Sequence, residues 1–281
     1  MQGPRQVPPG RRSLHRPPPG ARQARTPDRR FPGRRDARRE AWWSSRQKTE
    51  KRPLPAPPAP PTHWLYLHGF GSSPHSQKAR FFQQRFDAVN LPLVVPDLNV
   101  PSFERLTISS ALQAIGEVIA ALPGDATIGI IGSSLGGLLA LFAADRHPQV
   151  RRLLLMAPAL GLFRSNFVGL GQMGMRKWER MGYVEVYHYG TDSMRRISYD
   201  FVQDARQYDE GRLNLTIPIS IVHGSRDETV DPRLSILYAK RRPNVRLHLV
   251  DDDHALIASC TQIWEWLWRD IRPTQGGESG K

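Results

Sequence analysis

The sequence predicts an α/β fold, a doubly wound and mostly parallel sheet, and two observations carry that prediction. From Thr62 onward, short apolar runs alternate with amphipathic stretches in a strand–helix rhythm. Several of the apolar runs are continuous rather than alternating, as expected of strands buried on both faces of a parallel sheet. Repeated strand–helix–strand units build such a sheet through right-handed crossovers.

Taken in order, the apolar runs predict strands at residues 64–67, 93–95, 127–131, 153–156, 217–222 and 245–250. The amphipathic stretches predict helices at residues 76–89, 103–122, 135–145, 232–241 and 255–270. Pro232 at a helix start and Pro243 beyond its end agree with the preferences of helix boundaries. Residues 160–214 break the rhythm; they are rich in aromatics, arginine and glycine, and are expected to form a lid or helical insertion between two strands. Within the insertion, Phe163, Phe167, Trp178, Tyr183, Tyr187 and Tyr189 either line an apolar acyl pocket or bury the segment against the body. Arg195 and Arg196 either meet an acidic substrate group or face solvent.

The chain divides in composition as well. Residues 1–61 carry 14 arginines and 14 of the 25 prolines, and hold most of the net charge of +14. Proline at that density blocks helices and sheet ladders, so this segment reads as a disordered basic arm ending in a polyproline II spacer. Residues 62–281 then form the folded domain. Three meanings compete for the arm: a solvated extension, an organelle-targeting segment, and a nucleic-acid-binding tail whose affinity would depend steeply on salt. The domain itself has almost no net charge, and no specific nucleic-acid partner is expected. No apolar stretch is long enough for a membrane span, and the first 30 residues lack the apolar core of a secretory signal. A single cysteine, Cys260, excludes an internal disulfide and suggests a reducing, cytoplasmic setting.

The chemistry begins at Gly132-Ser133-Ser134-Leu135-Gly136, between a predicted strand and a predicted helix. In that context G-x-S-x-G forms a nucleophile elbow, a strained turn that lifts the serine hydroxyl clear of the sheet. The flanking glycines are needed because side chains there would strike the neighbouring strand or helix. Ser133 is a rival without a glycine frame. The elbow needs an acid and then a histidine later in the chain. Only His254 follows the last predicted strand, in Asp251-Asp252-Asp253-His254, whereas His248 lies within the strand pattern and is expected to pack. Asp227 is nearest the end of the preceding strand. Asp231 reads better as a helix N-cap, and Asp251 to Asp253 sit too close in sequence to reach round the ring.

The backbone N–H of Leu135 and that of Phe70 are the expected oxyanion donors, with Gly69 and Gly71 allowing close approach. His68 and His223, each followed by glycine at a strand end, read as hydrogen-bonded structural residues. No metal cluster, phosphate-binding glycine loop or dinucleotide fingerprint is present in the sequence.

These residues resemble the α/β-hydrolase superfamily over nearly all of residues 62–281. The segment His68-Gly69-Phe70-Gly71-Ser72-Ser73-Pro74-His75-Ser76-Gln77-Lys78-Ala79 is similar to the HGFxSSPxSxKA signature of small, single-domain bacterial esterases. The resemblance implies ester hydrolysis of a small-molecule acyl substrate, without a cofactor, by Ser134, Asp227 and His254. The insertion is longer than minimal members of that family carry, so the substrate class is not inherited. Thioesterase, peptidase and acyltransferase chemistry use the same residues, and a catalytically silent binding protein of the same fold is the alternative from another class.

Overall fold

Alternation inside each strand shows how one sheet is buried on both sides. In the computed structural model, which describes residues 59–162 and 170–272, Leu65 and Leu67 join one core while Trp64 and Tyr66 join the other. The elements run β1 (His63–Leu67), α1 (Gln77–Asp87), β2 (Leu93–Val94), α2 (Ile108–Ala120), β3 (Ile128–Ser133), α3 (Leu135–Arg146) and β4 (Val150–Met156). After the insertion come β7 (Ile219–Gly224), α6 (Pro232–Lys240), β8 (Val245–Val250) and α7 (Cys260–Ile271). The expected arm lies outside the described residues apart from its last three positions, and so do Phe163 and Phe167.

A six-stranded sheet of order β2-β1-β3-β4-β7-β8 is formed, and its neighbours pair in parallel. Residues of α2, α3 and α6 pack into the core on one face, and residues of α1 and α7 into the core on the other. Helix α3 is buried almost all round, from Leu135 to Ala144, which suits the central helix of such a layer. Strand order reverses between β1 and β3, and ligands of open α/β sheets bind beyond the carboxyl ends of strands at such a reversal.

Two helix starts differ from expectation. The stretch beginning at residue 103 makes only a 3₁₀ turn, Phe103–Arg105; α2 starts after Thr107, whose side chain and that of Ser110 form a capping box. The last helix starts at Cys260 rather than residue 255. Asp253 accepts from the Ala255 N–H, and Asp252 accepts from both the N–H and the hydroxyl of Ser259. These side chains close a turn where the helix would otherwise begin.

The insertion departs most. It holds α4 (Gly171–Met181), α5 (Asp200–Ala205) and an antiparallel hairpin of β5 (Tyr183–His188) and β6 (Ser193–Ser198). It is therefore not a purely helical insertion. Only one face of the hairpin is covered, and its few apolar residues sit among Arg195, Arg196 and Glu185, so the apolar periodicity is weak.

Candidate active site

Ser134 occupies the turn between β3 and α3 with φ 53° and ψ −115°, a backbone conformation that L-residues rarely adopt. Its N–H donates to the Met156 carbonyl at 2.9 Å, and its carbonyl accepts from Ala159 at 3.0 Å, so β4 anchors the turn from one side. The two glycines explain the tightness. A Cβ on Gly132 would overlap the Gly136 backbone, and one on Gly136 would overlap the Leu67 carbonyl of β1.

The other two expected residues meet this serine. His254 Nε2 lies 3.1 Å from Ser134 Oγ, and His254 Nδ1 lies 2.7 Å from Asp227 Oδ2. A carboxylate facing Nδ1 requires the proton there, which leaves Nε2 with the lone pair that accepts from the serine hydroxyl. The loop carrying His254 and the loop carrying Asp227 approach closely because of Gly224, whose added Cβ would sit 2.5 Å from the Asp252 carbonyl oxygen.

Asp227 is buried and saturated with donors. Oδ1 accepts the N–H groups of Thr229 and Val230, both at 2.8 Å. Oδ2 accepts from His254 and also from His223 Nε2, at 3.0 Å. Burial pushes its carboxyl up, yet the hydrogen bonds from His223, His254 and Val230 outweigh that push and hold it well below the usual carboxylate range.

The predicted oxyanion region adjoins the serine. A Cβ on Gly69 would lie 3.3 Å from Ser134 Cβ, so the Gly69–Phe70 peptide passes directly beside the elbow. Leu135 is the first residue of α3, where an N–H has no intrahelical carbonyl to bond. The Phe70 ring packs on Phe103 and Phe201, with centroids 5.3 and 5.6 Å away.

The residues set aside in the sequence have other partners. His68 Nε2 accepts from the Leu98 N–H at 3.0 Å, and its Nδ1 donates to the Gly69 carbonyl at 3.0 Å. Ser133 is buried at the end of β3. Asp231 is the N-cap of α6, and Asp251 pairs with Arg226 at 3.2 Å. His248 stacks on Trp266, and burial pushes its imidazole down to about 4.

The insertion's side chains follow neither expected pattern uniformly. Trp178 is buried, but Tyr187 and Tyr189 are 43% and 76% exposed, so they neither bury the segment nor line a closed pocket. Arg195 and Arg196 are not simply solvated: Arg195 Nε donates to Glu104 at 2.7 Å, and Arg196 pairs with Glu185 and covers the Tyr183 ring. His223, expected to be a hydrogen-bonded structural residue, is buried and bonds Asp227, Val230 and Ser235; the sequence did not show that Asp227 would be its partner. The one signal was the place of His223 four residues before Asp227 at the end of a strand. Among the described residues no group of three or more His, Cys, Asp or Glu could hold a metal ion, and no helix is long and apolar enough to cross a membrane.

Known structures share this architecture. Alpha/beta hydrolase domain-containing protein 10 from mouse is 22% identical, over 74% of this chain and 89% of that one, with a TM-score of 0.63. Est1E from Butyrivibrio proteoclasticus, solved with ferulic acid bound, is 19% identical over 80% of this chain and 93% of its own, with a TM-score of 0.64. A candidate hydrolase from Agrobacterium vitis S4 is 21% identical over 76% and 91% of the two chains, with a TM-score of 0.66. A family model described as "Uncharacterised protein family (UPF0227)" matches residues 63–267, from β1 into α7. With that match the chain belongs to the UPF0227 family, and its fold is the one these α/β hydrolases share.

Proposed function

We propose that this protein is a serine hydrolase that cleaves a carboxylic ester through an acyl-enzyme intermediate, with Ser134 as nucleophile, His254 as base and Asp227 as its orienting acid. The observation that carries this reading is the unbroken hydrogen-bonded row Asp227–His254–Ser134, with steps of 2.7 and 3.1 Å, ending at a strained strand-to-helix turn. His254 Nε2 removes the hydroxyl proton as Oγ attacks the acyl carbonyl, and Asp227 keeps the tautomer and stabilises the imidazolium. The Leu135 and Phe70 N–H groups stabilise the tetrahedral oxyanion. His254 then protonates the leaving alkoxide, and water enters through the same base to release the carboxylic acid.

Kinship with α/β-hydrolase folds is consistent with this chemistry, and the ferulic-acid-bound neighbour makes feruloyl and other aryl esters sensible first substrates. The decisive experiment is labelling with a fluorophosphonate, alongside a panel of esters, thioesters and aminopeptidase substrates. The expected result is one labelled serine, Ser134, and turnover of esters. Ser134→Ala should abolish labelling and lower turnover by roughly 10⁵- to 10⁶-fold if the three residues act as a unit. Wild-type protein that resists the probe and turns over nothing would defeat the reading.

A further inference from the structure

A second histidine is bonded to the acid that faces His254. His223, near the end of β7, is fully buried, and its Nε2 lies 3.0 Å from Asp227 Oδ2 and 3.0 Å from the Val230 carbonyl. Both of those neighbours only accept, so Nε2 carries a proton and donates between them. On the other side of the ring, Nδ1 lies 2.7 Å from the hydroxyl of Ser235 in α6, which is itself fully buried. With Nε2 protonated and the ring neutral, the Ser235 hydroxyl donates to Nδ1. One carboxylate oxygen thus takes hydrogen bonds from two imidazoles, the half-exposed one beside Ser134 and the sealed one beneath it.

We propose that His223 is a positioning residue for the hydrolytic site: locked between Ser235 and Val230, it fixes the orientation and drains the charge of the carboxylate that faces His254. The inference rests on the serine-hydrolase reading for its catalytic consequence but not for its geometry. Each donor to a carboxylate disperses its negative charge, and Oδ2 is the oxygen that His254 uses. With His223 in place, Asp227 orients the imidazole without holding the imidazolium too tightly. Without that donor, Oδ2 becomes more basic and the imidazolium at His254 is favoured. The ionisable groups around His223 are Asp227, His254 through it, and Asp231, which is itself tied to Arg233.

The test compares three replacements in the full chain. His223→Phe keeps a ring without a donor, His223→Gln restores an amide donor towards Asp227, and His223→Asn reaches only the Ser235 side. Two readouts are followed: NMR titration of His254 in histidine-labelled protein, and the pH dependence of kcat/KM on an aryl ester. Phe and Asn should move the His254 titration and the acidic limb up by roughly 0.5–1 pH unit, and Gln should return both towards the wild-type position. Titrations that coincide in all four proteins, whatever happens to their melting temperatures, would reduce His223 to a packing residue and overturn the proposal. Asn keeps the variants polar, so the comparison survives if Phe fails to fold. Because the titration needs no turnover, an inactive wild type would count against the hydrolase reading while leaving the His223 question answered.

Discussion

At the scale of single residues, the site depends on space as much as on reactive groups. Ser134 holds a positive φ because Gly132 and Gly136 let β1, β3 and α3 crowd around it. The resulting strain, on the order of 1–3 kcal/mol for such a conformation, is carried by the bonds to Met156 and Ala159 and by the buried α3. Gly136→Ala is predicted to destabilise the fold by about 1–3 kcal/mol or more, since its methyl meets main-chain atoms of β1 that cannot move aside. Denaturant unfolding would measure it; an unchanged midpoint would mean that β1 yields to the added methyl at little cost. Asp227 illustrates the complementary point, a buried carboxylate made tolerable by four donors, of which two are backbone N–H groups that no substitution of side chains removes.

At the scale of elements, the hairpin of β5 and β6 leans on the loop that carries Phe70. Gly190 N–H donates to the Gly71 carbonyl at 3.4 Å, and a Cβ on Gly71 would lie 3.0 Å from the Tyr187 carbonyl. His188 packs edge-on against Phe103, which in turn packs on Phe70, and the Arg195–Glu104 pair ties β6 to the same turn. Gly71 also has φ +63°, a conformation that a β-branched residue resists. Gly71→Val is therefore predicted to shift the Phe70 N–H and lower kcat on an aryl ester by roughly 10- to 100-fold, with little change in KM. Steady-state kinetics would check this, and an unaltered kcat would show that hairpin and loop are uncoupled. Arg195→Ala should have a milder effect, because a partly exposed ion pair contributes only about 0.2–1 kcal/mol.

At the scale of the whole molecule, every residue of the proposed site lies among the described residues, in or beside the connections that follow β1, β3, β7 and β8. The proposal that residues 62–281 form the hydrolase domain predicts that a chain starting at residue 62 keeps the aryl-ester kcat/KM of the full protein within about twofold, since no proposed interaction involves the arm. Comparing the two chains in one assay settles this, and a large loss of activity would give residues 1–61 a part in the site. The same pair of proteins tests the arm's charge: any binding of nucleic acid should weaken steeply with salt and vanish with the arm.

Much of this architecture was legible in linear order. Continuous apolar runs are what strands covered on both faces require, and G-x-S-x-G between a strand and a helix states a local steric need that two absent side chains satisfy. That residues after β3, β7 and β8 can meet follows from chain direction in a parallel sheet, because every strand delivers its end to the same rim. What linear order could not show is contact between distant segments. His223 read as a hydrogen-bonded structural residue, and only the packing of β7 and α6 identified its partners as Asp227 and Ser235. The hairpin gave too faint a pattern, since an element with one covered face is stabilised mainly by what it lies against. The early start expected for α7 failed for the same reason: Asp252 and Ser259 compete with the helix only once the turn brings them together. Local spacing records the demands a residue makes on its immediate neighbours, and the three-dimensional fold alone sets which remote groups come to share one oxygen.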